Sequence, residues 1–248
     1  MYLVILLPSL LALFALYKKK ITNSGIIAAW IMAIIITYVG GLYAFLALTS
    51  TFLLMIISDK VKESNRDEKR NIYQIFSNVL TATLALVIYY FKENEIFLVM
   101  YYAVLADSLS DTLASSIGSL SNKKAYNPIT FNEMKKGESG AISSLGLSIS
   151  FFGGMVIGGI YYLNGGEIVN YLIIILMGAL GSYIDSIMGA YLQAKYKCVK
   201  CKKVVECNKH CSKDAKLISG LMFINNDVVN LLSNIFIFVI TYLIMILK

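Results

Sequence analysis

Long apolar runs, separated by short polar segments, dominate the pattern of hydrophobic and polar positions along this chain. Runs of about 20 apolar residues are typical of helices that cross a bilayer. The pattern predicts eight such helices, at about 2–17, 24–39, 42–58, 73–91, 96–118, 141–163, 168–193 and 228–247. The sequence therefore predicts an all-α, polytopic membrane helix bundle that forms a single domain over 1–248.

The first apolar run, 2–17, resembles a retained membrane helix more than a cleaved signal peptide. No basic segment precedes it and no small-residue cleavage site follows it. The first two runs are short, so a single re-entrant unit is the alternative. Gly40 and Gly41 separate the second and third runs, and a link of two residues predicts a tight helical hairpin.

Composition narrows the class of protein further. Of the 248 residues 58% are hydrophobic and only 15% are charged, against roughly 25% charged in an ordinary globular protein. The mean hydropathy is +0.70. These values exclude a disordered chain and argue against a soluble enzyme, and four cysteines are too few for a secreted disulfide scaffold.

The net charge of +7 is explained by membrane topology, and we do not expect a nucleic-acid partner. Twenty of the 22 Lys and Arg residues fall in alternate loops, at 18–20, 59–72, 119–140 and 195–217. Basic loops of membrane proteins stay in the cytoplasm. We therefore predict a multi-pass protein of the cell membrane, with both termini outside and the functional loops, including a Cys/His loop at 195–217, in the cytoplasm.

Acidic residues inside the apolar runs are the first candidates for function, because a charge in a membrane helix is costly. Asp107 and Asp111 share one helix face, Asp185 lies in the seventh run, and Asp227 opens the eighth. All four are predicted to lie in the cytoplasmic half of the membrane. Carboxylates with nearby amides such as Asn78 and Asn230 suit Mg²⁺. The alternatives are hydrogen bonds to neighbouring Ser and Thr, or a helix cap for Asp227.

Basic residues and glycines on the same side could bind phosphate. Arg70, Gln74 and Asn78 approach the fourth run. Lys135 to Gly140 precede the sixth run, where Gly137 and Gly140 would let backbone N–H groups come close to an anion. Ser139 lies between these glycines. The segment is not a Walker loop, and basic loops that merely flank membrane helices are the alternative explanation.

Four cysteines and the only histidine of the chain lie together between 198 and 211. Their spacing could close around one tetrahedral zinc ion. A cytoplasmic loop disfavours disulfides. Unmetallated thiols and redox chemistry remain the alternatives to a structural zinc ion. The candidate ligands are Cys198, Cys201, Cys207, His210 and Cys211.

Several motifs together resemble a membrane family that includes plant phytyl-phosphate kinases, an animal transmembrane protein and many prokaryotic proteins long assigned to a domain of unknown function. The run at 111–118 is similar to its Asp-Thr-x-x-Ser-Glu-x-Gly signature, but Ser116 stands where that signature has Glu. Five further segments resemble the family in the same order, namely Arg70–Asn78, Gly137–Gly146, Gly181–Gln193, the Cys/His loop and Asn226–Asn230.

The resemblance implies a kinase that transfers a phosphoryl group from a nucleoside triphosphate, preferably CTP, to a membrane-embedded polyprenyl monophosphate. Asp111, Asp185 and Asp227 would then hold Mg²⁺, and Asp111, Asp185 and Lys136 would be catalytic. The residues implied in substrate or nucleotide binding are Arg70, Gln74, Asn78, Lys135, Gly137, Ser139, Gly140, Ser143 and Asn230. Asp107 is a candidate to replace the Glu missing at 116.

Two other functions are compatible with the same residues. A cation-coupled transporter could use the buried acids. A lipid phosphotransferase could use a nucleotide-activated alcohol, although the denser Asp-x-x-Asp-Gly array of that class is absent at Asp111. The sequence leaves the prenyl chain length, the nucleotide and any oligomer open.

Overall fold

The computed structural model describes residues 2–61 and 69–248 and is dominated by helices. The helices are α1 Tyr2–Lys18, α2 Asn23–Val61, α3 Ile72–Lys92, α4 Glu95–Gly118, α5 Ser144–Leu163, α6 Ile168–Tyr191 and α7 Asn226–Leu247. In the described part of the chain, six helices are long and apolar enough to span a membrane, and α1 is shorter. The predicted class, a polytopic membrane helix bundle, is confirmed.

The helix α2 is broken at Gly41, where φ is 71° and ψ is −162°. A straight helix of 39 residues would be about 58 Å long. Its two ends nevertheless meet at Arg70, because the Thr22 N–H donates to the Arg70 carbonyl and the Arg70 guanidinium lies 3.5 Å from Asp59. The chain therefore reverses at Gly41 into two antiparallel arms, in agreement with the predicted hairpin. Eight spans are reached only if both arms and α1 are counted, so that number stays a prediction.

The helix α4 lies at the centre of the bundle. It packs against α2, α3, α5, α6 and α7, and every residue from Val99 to Ser110 is buried. Tyr101 and Tyr102 are fully enclosed, and the Tyr101 hydroxyl donates to the Ala44 carbonyl at 2.7 Å. The core of the protein is thus built around this one helix.

Small residues let the neighbouring helices approach α4 closely. A Cβ atom added at Gly153 of α5 would lie 2.7 Å from the Ser110 hydroxyl. One added at Gly181 of α6 would lie 2.2 Å from a carboxylate oxygen of Asp107. These glycines therefore serve helix packing, and this packing sets the separation of α4 and α6 at the site described below.

Short strands replace irregular loops at one end of the bundle, which we call the polar end. The segment predicted as a loop at 195–217 forms most of an antiparallel sheet of order β4-β3-β6-β5. A second, two-stranded ribbon pairs β1 with β2. The strands are β1 Ala125–Tyr126, β2 Glu133–Met134, β3 Lys195–Cys198, β4 Val204–Val205, β5 Lys209–His210 and β6 Lys213–Ser219. Because most residues of β6 are exposed, the sequence has no alternation of apolar and polar residues that would have predicted this strand.

The opposite end is closed by short connections and a polar network. The Tyr161 hydroxyl donates to Glu95 at 2.6 Å, and the Asn170 amide donates to the same hydroxyl at 2.9 Å. The Lys248 ammonium donates to the Asn170 side chain at 2.9 Å and pairs with Glu167. The two ends of the bundle therefore differ in their connections. Short connections lie at this end, and the long connecting segments lie at the polar end.

Candidate functional site

A cavity of about 600 Å³ opens at the polar end of the bundle. The ends of α3, α4, α5, α6 and α7 surround it, together with the segments that join them. Cationic side chains come from three segments that connect helices, and these are Lys20, Lys69, Arg70, Lys123 and Lys136. Segments that lie more than a hundred residues apart in the sequence therefore share one polar cavity.

Besides Asp59 near the end of α2, two carboxylates reach this cavity from within the helices. Asp111 of α4 and Asp185 of α6 both line it, and Asp185 is 9% exposed. They lie near enough for their negative charges to repel each other. With its amide turned to satisfy both groups, Asn230 donates to Asp185 at 3.0 Å and to the Asn226 carbonyl at 3.1 Å. Two carboxylates this close together favour a cation between them, and their oxygens are the ligands that Mg²⁺ prefers.

The segment from Lys136 to Gly140 forms one wall of the cavity. The Lys136 ammonium donates to the Ser121 carbonyl at 2.8 Å, which holds the side chain near the end of α4. Gly137 and Gly140 have φ values of 74° and 81°. Gly140 lies against α6, where an added Cβ atom would be 2.2 Å from the backbone nitrogen of Ala190. Only glycine fits both that angle and that space.

This wall is fixed from behind by Gln193 and by Lys195, and the sequence did not single out Lys195. The Ser139 hydroxyl donates to the Gln193 side chain at 2.7 Å, and the Lys195 ammonium donates to the Ser139 carbonyl at 3.0 Å. Lys195 is 5% exposed and also pairs with Glu138 at 3.6 Å. We call these contacts the β3 clamp. Its lysine is one of eight in 195–217, and nothing in that run distinguishes it.

The predicted Arg70 and Gln74 line the cavity, and Gln74 also has a structural role. Asn71 caps α3, because its side chain accepts from the Gln74 N–H at 3.1 Å. The Gln74 side chain accepts from the Asn71 N–H at 3.0 Å, which completes a capping box. The capping box therefore fixes the position of Arg70 beside the start of α3.

Ser143 and Ser116 also line the cavity. Ser143 caps α5 by accepting from the Gly146 N–H at 3.1 Å, and its hydroxyl donates to the Gly118 carbonyl at 3.0 Å. That hydroxyl joins the end of α4 to the start of α5. Ser116 is 5% exposed and faces the chamber from α4, so the position of the missing family Glu belongs to the site.

Four predicted or candidate residues are not among those that line the cavity within the described ranges. Lys135 is exposed, and Asp227 is half-buried at the start of α7. The Asn78 amide donates to the Gln74 carbonyl at 2.7 Å, one turn back along its own helix. Asp107 is buried below the cavity and accepts from the Ser233 hydroxyl at 3.1 Å. Of the four acids that the sequence singled out, Asp111 and Asp185 therefore line the cavity in the described structure, and Asp107 and Asp227 do not.

An apolar groove adjoins the polar cavity. Side chains of α1, α2 and α3 form most of its wall, among them Ala12, Ala29, Leu48, Phe52 and Val79. Arg70, Gln74 and Thr112 line both the groove and the cavity. The groove, of about 90 Å³, is much smaller than the chamber. The groove and the cavity meet at the side chain of Arg70. This arrangement suits an amphiphilic ligand with an anionic head.

The cysteine cluster lies in the small sheet at the same end. Cys198, Cys201, His210 and Cys211 approach one another, with one ligand atom of each within 4.8 Å of the others. The Cys207 sulfur lies 3.1 Å from the Lys209 carbonyl and is outside this group. The Cys201 N–H and the His210 side chain lower the pKa of the Cys198 thiol to about 6, because both stabilise its thiolate.

Comparison with known proteins connects most of this chain to one family. The model of a family described as integral membrane protein DUF92 matches residues 6–238. An uncharacterised membrane protein of Methanocaldococcus jannaschii is 30% identical over 224 residues, which covers 88% of this chain and 90% of that protein. Protein PGR of Arabidopsis thaliana is 27% identical, covering 92% of this chain and 90% of the plant protein. No solved structure matches.

Proposed function

This chain belongs to the DUF92 family of integral membrane proteins, and from that premise we propose that it is a polyprenyl-monophosphate kinase. It would transfer the γ-phosphoryl group of a nucleoside triphosphate, preferably CTP, to the phosphate of a membrane-embedded prenyl lipid. The product would be the prenyl diphosphate. The motif resemblance to plant phytyl-phosphate kinases supports this choice, and a plant protein is among the relatives.

One observation carries the proposal, namely the junction of the polar cavity with the apolar groove at Arg70. A prenyl phosphate has an anionic head and an apolar tail, and each space suits one of them. The guanidinium of Arg70 can bind a phosphate with two parallel hydrogen bonds. Because the groove is small, it would take only the isoprene carbons nearest the phosphate, while the rest of the tail lies in the bilayer.

The roles of individual residues follow from their positions. Asp111 and Asp185 would hold Mg²⁺, which supplies positive charge to the transferring phosphoryl group. Lys136 and the other cavity lysines would bind the nucleotide phosphates. A lipid phosphate oxygen would form a bond to the γ-phosphorus, and the bond from that phosphorus to the β–γ bridging oxygen would break, releasing the nucleoside diphosphate. The lipid phosphate is already anionic, so no general base is needed, which suits a site without histidine among its lining residues in the described chain.

The packing of α4 disfavours the transporter alternative. Between the cavity and the opposite end, α4 presents fully buried side chains, including Tyr102, Leu105 and Leu109. A solute would have to displace this core to reach the other side. A chamber that opens at one end supports chemistry at the membrane surface instead.

The proposal is tested with the purified full chain in lipid nanodiscs. We would supply γ-³²P-labelled CTP or ATP, Mg²⁺ and a panel of prenyl monophosphates of increasing length. The expected result is a labelled prenyl diphosphate, together with release of the unlabelled nucleoside diphosphate. The matched control is the corresponding prenyl alcohol, which has the same tail but no phosphate to accept the label.

Two results would contradict the proposal in different ways. Transfer to the alcohol from a nucleotide-activated donor, with release of a nucleoside monophosphate, would favour the lipid phosphotransferase. Cation flux through proteoliposomes, with no labelled lipid from any substrate in the panel, would favour the transporter.

A further inference from the structure

We propose that Cys198, Cys201, His210 and Cys211 bind one zinc ion and that this ion is structural. Neither the family match nor the relatives' names assign a metal to these residues. The proposal does not depend on the kinase activity. It concerns the sheet formed by β3, β4, β5 and β6, which lies beside the candidate site at the polar end.

The ligand atoms already have the spacing of a tetrahedral site. His210 Nδ1 lies 3.4 Å from the Cys201 sulfur and 3.2 Å from the Cys211 sulfur. Tetrahedral zinc, with bonds of about 2.3 Å to sulfur and about 2.1 Å to nitrogen, places such pairs about 3.6 Å apart. All four ligand atoms lie within 4.8 Å of one another. One ion could therefore contact all four with little movement of the chain.

The backbone around the cluster is shaped for metal binding. The Cys201 N–H points at the Cys198 sulfur at 3.5 Å, and the Lys202 N–H donates to the Cys198 carbonyl at 3.0 Å. Lys202 and Cys211 have φ values of 60° and 53°. A left-handed conformation is unfavourable at a non-glycine residue. Turns of this kind that carry ligands are stabilised if a metal ion joins the ligands.

Cys207 supplies an internal comparison. It lies between the ligands in sequence, and it has the same side chain and is exposed. Its sulfur is directed to the Lys209 carbonyl and does not join the cluster. The geometry thus selects four ligands from the five candidates in the sequence.

A zinc ion here would also stabilise the wall of the cavity. The strand β3 begins at Lys195 and ends at the ligand Cys198, and β6 pairs along its length. Lys195 holds Ser139 and Glu138 through the β3 clamp. Ordering β3 at one end therefore restrains the cavity wall at the other. Lys195 is a positioning residue here, because it acts on the cavity through Ser139 and Glu138.

The test measures metal and thiols on the full-length protein, expressed with zinc and purified without chelator. Elemental analysis should give about one zinc per chain. In the native protein one thiol, Cys207, should react rapidly with a thiol reagent, and all four should react after a strong chelator is added. The Cys207→Ser variant should keep its zinc, whereas the double variant Cys201→Ser, Cys211→Ser should lose it.

A second measurement covers the case in which the double variant fails to fold. Wild-type protein, depleted of zinc and given Co²⁺, should show the intense visible absorption bands of tetrahedral cobalt thiolate. Folded wild-type protein with less than about a tenth of an equivalent of zinc and no such spectrum would overturn the proposal. Four rapidly reacting thiols before chelation, or equal loss of zinc in Cys207→Ser, would overturn it as well.

Discussion

Asp111 and Asp185 are held at the cavity by two helices whose close packing depends on small residues. Gly178 and Gly181 let α6 approach α4, and the two carboxylates then share one chamber. Two repelling charges are costly where water is scarce, and a bound cation would offset that cost. We therefore expect the pair to hold a cation.

Asp185→Asn keeps the size of the side chain but removes its charge. The variant should insert and fold normally, while phosphoryl transfer falls by at least ~10²-fold, because loss of one electrostatic stabiliser commonly costs that much. The measurement is the rate of labelled prenyl diphosphate formation. Asp107→Asn is the matched control, since Asp107 is equally buried but outside the cavity, and it should retain most of the activity. Full activity in Asp185→Asn would place the metal elsewhere.

Lys136→Ala removes one cation from the cavity wall. If Lys136 binds a phosphate, KM for the nucleotide or for the lipid should rise by about 10-fold or more, since a charged hydrogen bond contributes about 1.5–3 kcal/mol. Steady-state kinetics with each substrate varied in turn would measure the change. Lys124→Ala is the control, because Lys124 is exposed and pairs with Glu133. An unchanged KM for both substrates would show that Lys136 only supports the loop through Ser121.

At the scale of the structural elements, the segment from Lys136 to Gly140 is held on two sides. It is held between α6 and β3, by the contact of Gly140 with Ala190 on one side and by Lys195 on the other. A shift of this segment would move Lys136 relative to Asp111 and Asp185. Rate and affinity should therefore respond to packing behind the wall as well as to the residues that face the chamber.

Gly140→Ala should lower both activity and stability. The new methyl group would meet backbone atoms of Ala190, and the φ of 81° is itself costly for alanine, by about 1–2 kcal/mol. Thermal unfolding in detergent and the transfer assay would record the two effects. Gly159→Ala in α5 is the control, since nothing lies within 4 Å of its added Cβ atom. Equal melting temperatures for the two variants would contradict the close contact with α6.

At the scale of the whole molecule, the difference in charge between the two ends of the bundle predicts the orientation of the protein in its membrane. The polar end gathers the basic loops and the cysteine cluster, whereas Lys92 lies at the opposite end with the short connections. Because basic segments of membrane proteins stay on the cytoplasmic side, we expect the polar end to face the cytoplasm.

A membrane-impermeant maleimide would test this orientation on intact cells. Cysteine introduced at Lys92 should be labelled from outside, while native Cys207 should be labelled only after the cells are permeabilised. The unmodified chain provides the background for the comparison. Labelling of a native cysteine in intact cells would show that the topology is reversed and that the candidate site lies on the outer face.

The sequence predicted the helices because apolar periodicity and length are local properties. The run at 96–118 became α4 Glu95–Gly118, and the hairpin at 40–41 was visible from its two glycines. Asp111 and Asp185 were identifiable because a carboxylate in an apolar run is costly wherever the chain folds. These features needed no knowledge of the tertiary structure.

Other parts of the site depend on contacts between distant segments. The burial of Lys195 depends on Ser139 and Glu138, more than 50 residues earlier, so its local sequence resembles that of the neighbouring exposed lysines. Asn78 is one turn from Gln74, yet its amide bonds back to that residue's carbonyl instead of joining the cavity. The apolar groove is formed by α1, α2 and α3 only after α2 reverses at Gly41.

The central position of α4 has a consequence for biosynthesis. Of the six candidate spans it has the lowest hydropathy and the largest buried share, 72% of its most apolar window. A nascent chain that ended just after α4 would present Asp107 to lipid, without the Ser233 hydroxyl of α7 that later donates to it and without the close packing of Gly181 of α6. Stable insertion of this helix must therefore wait for the second half of the chain. Premature truncation after residue 118 should yield a product that slips out of the translocation channel or is degraded.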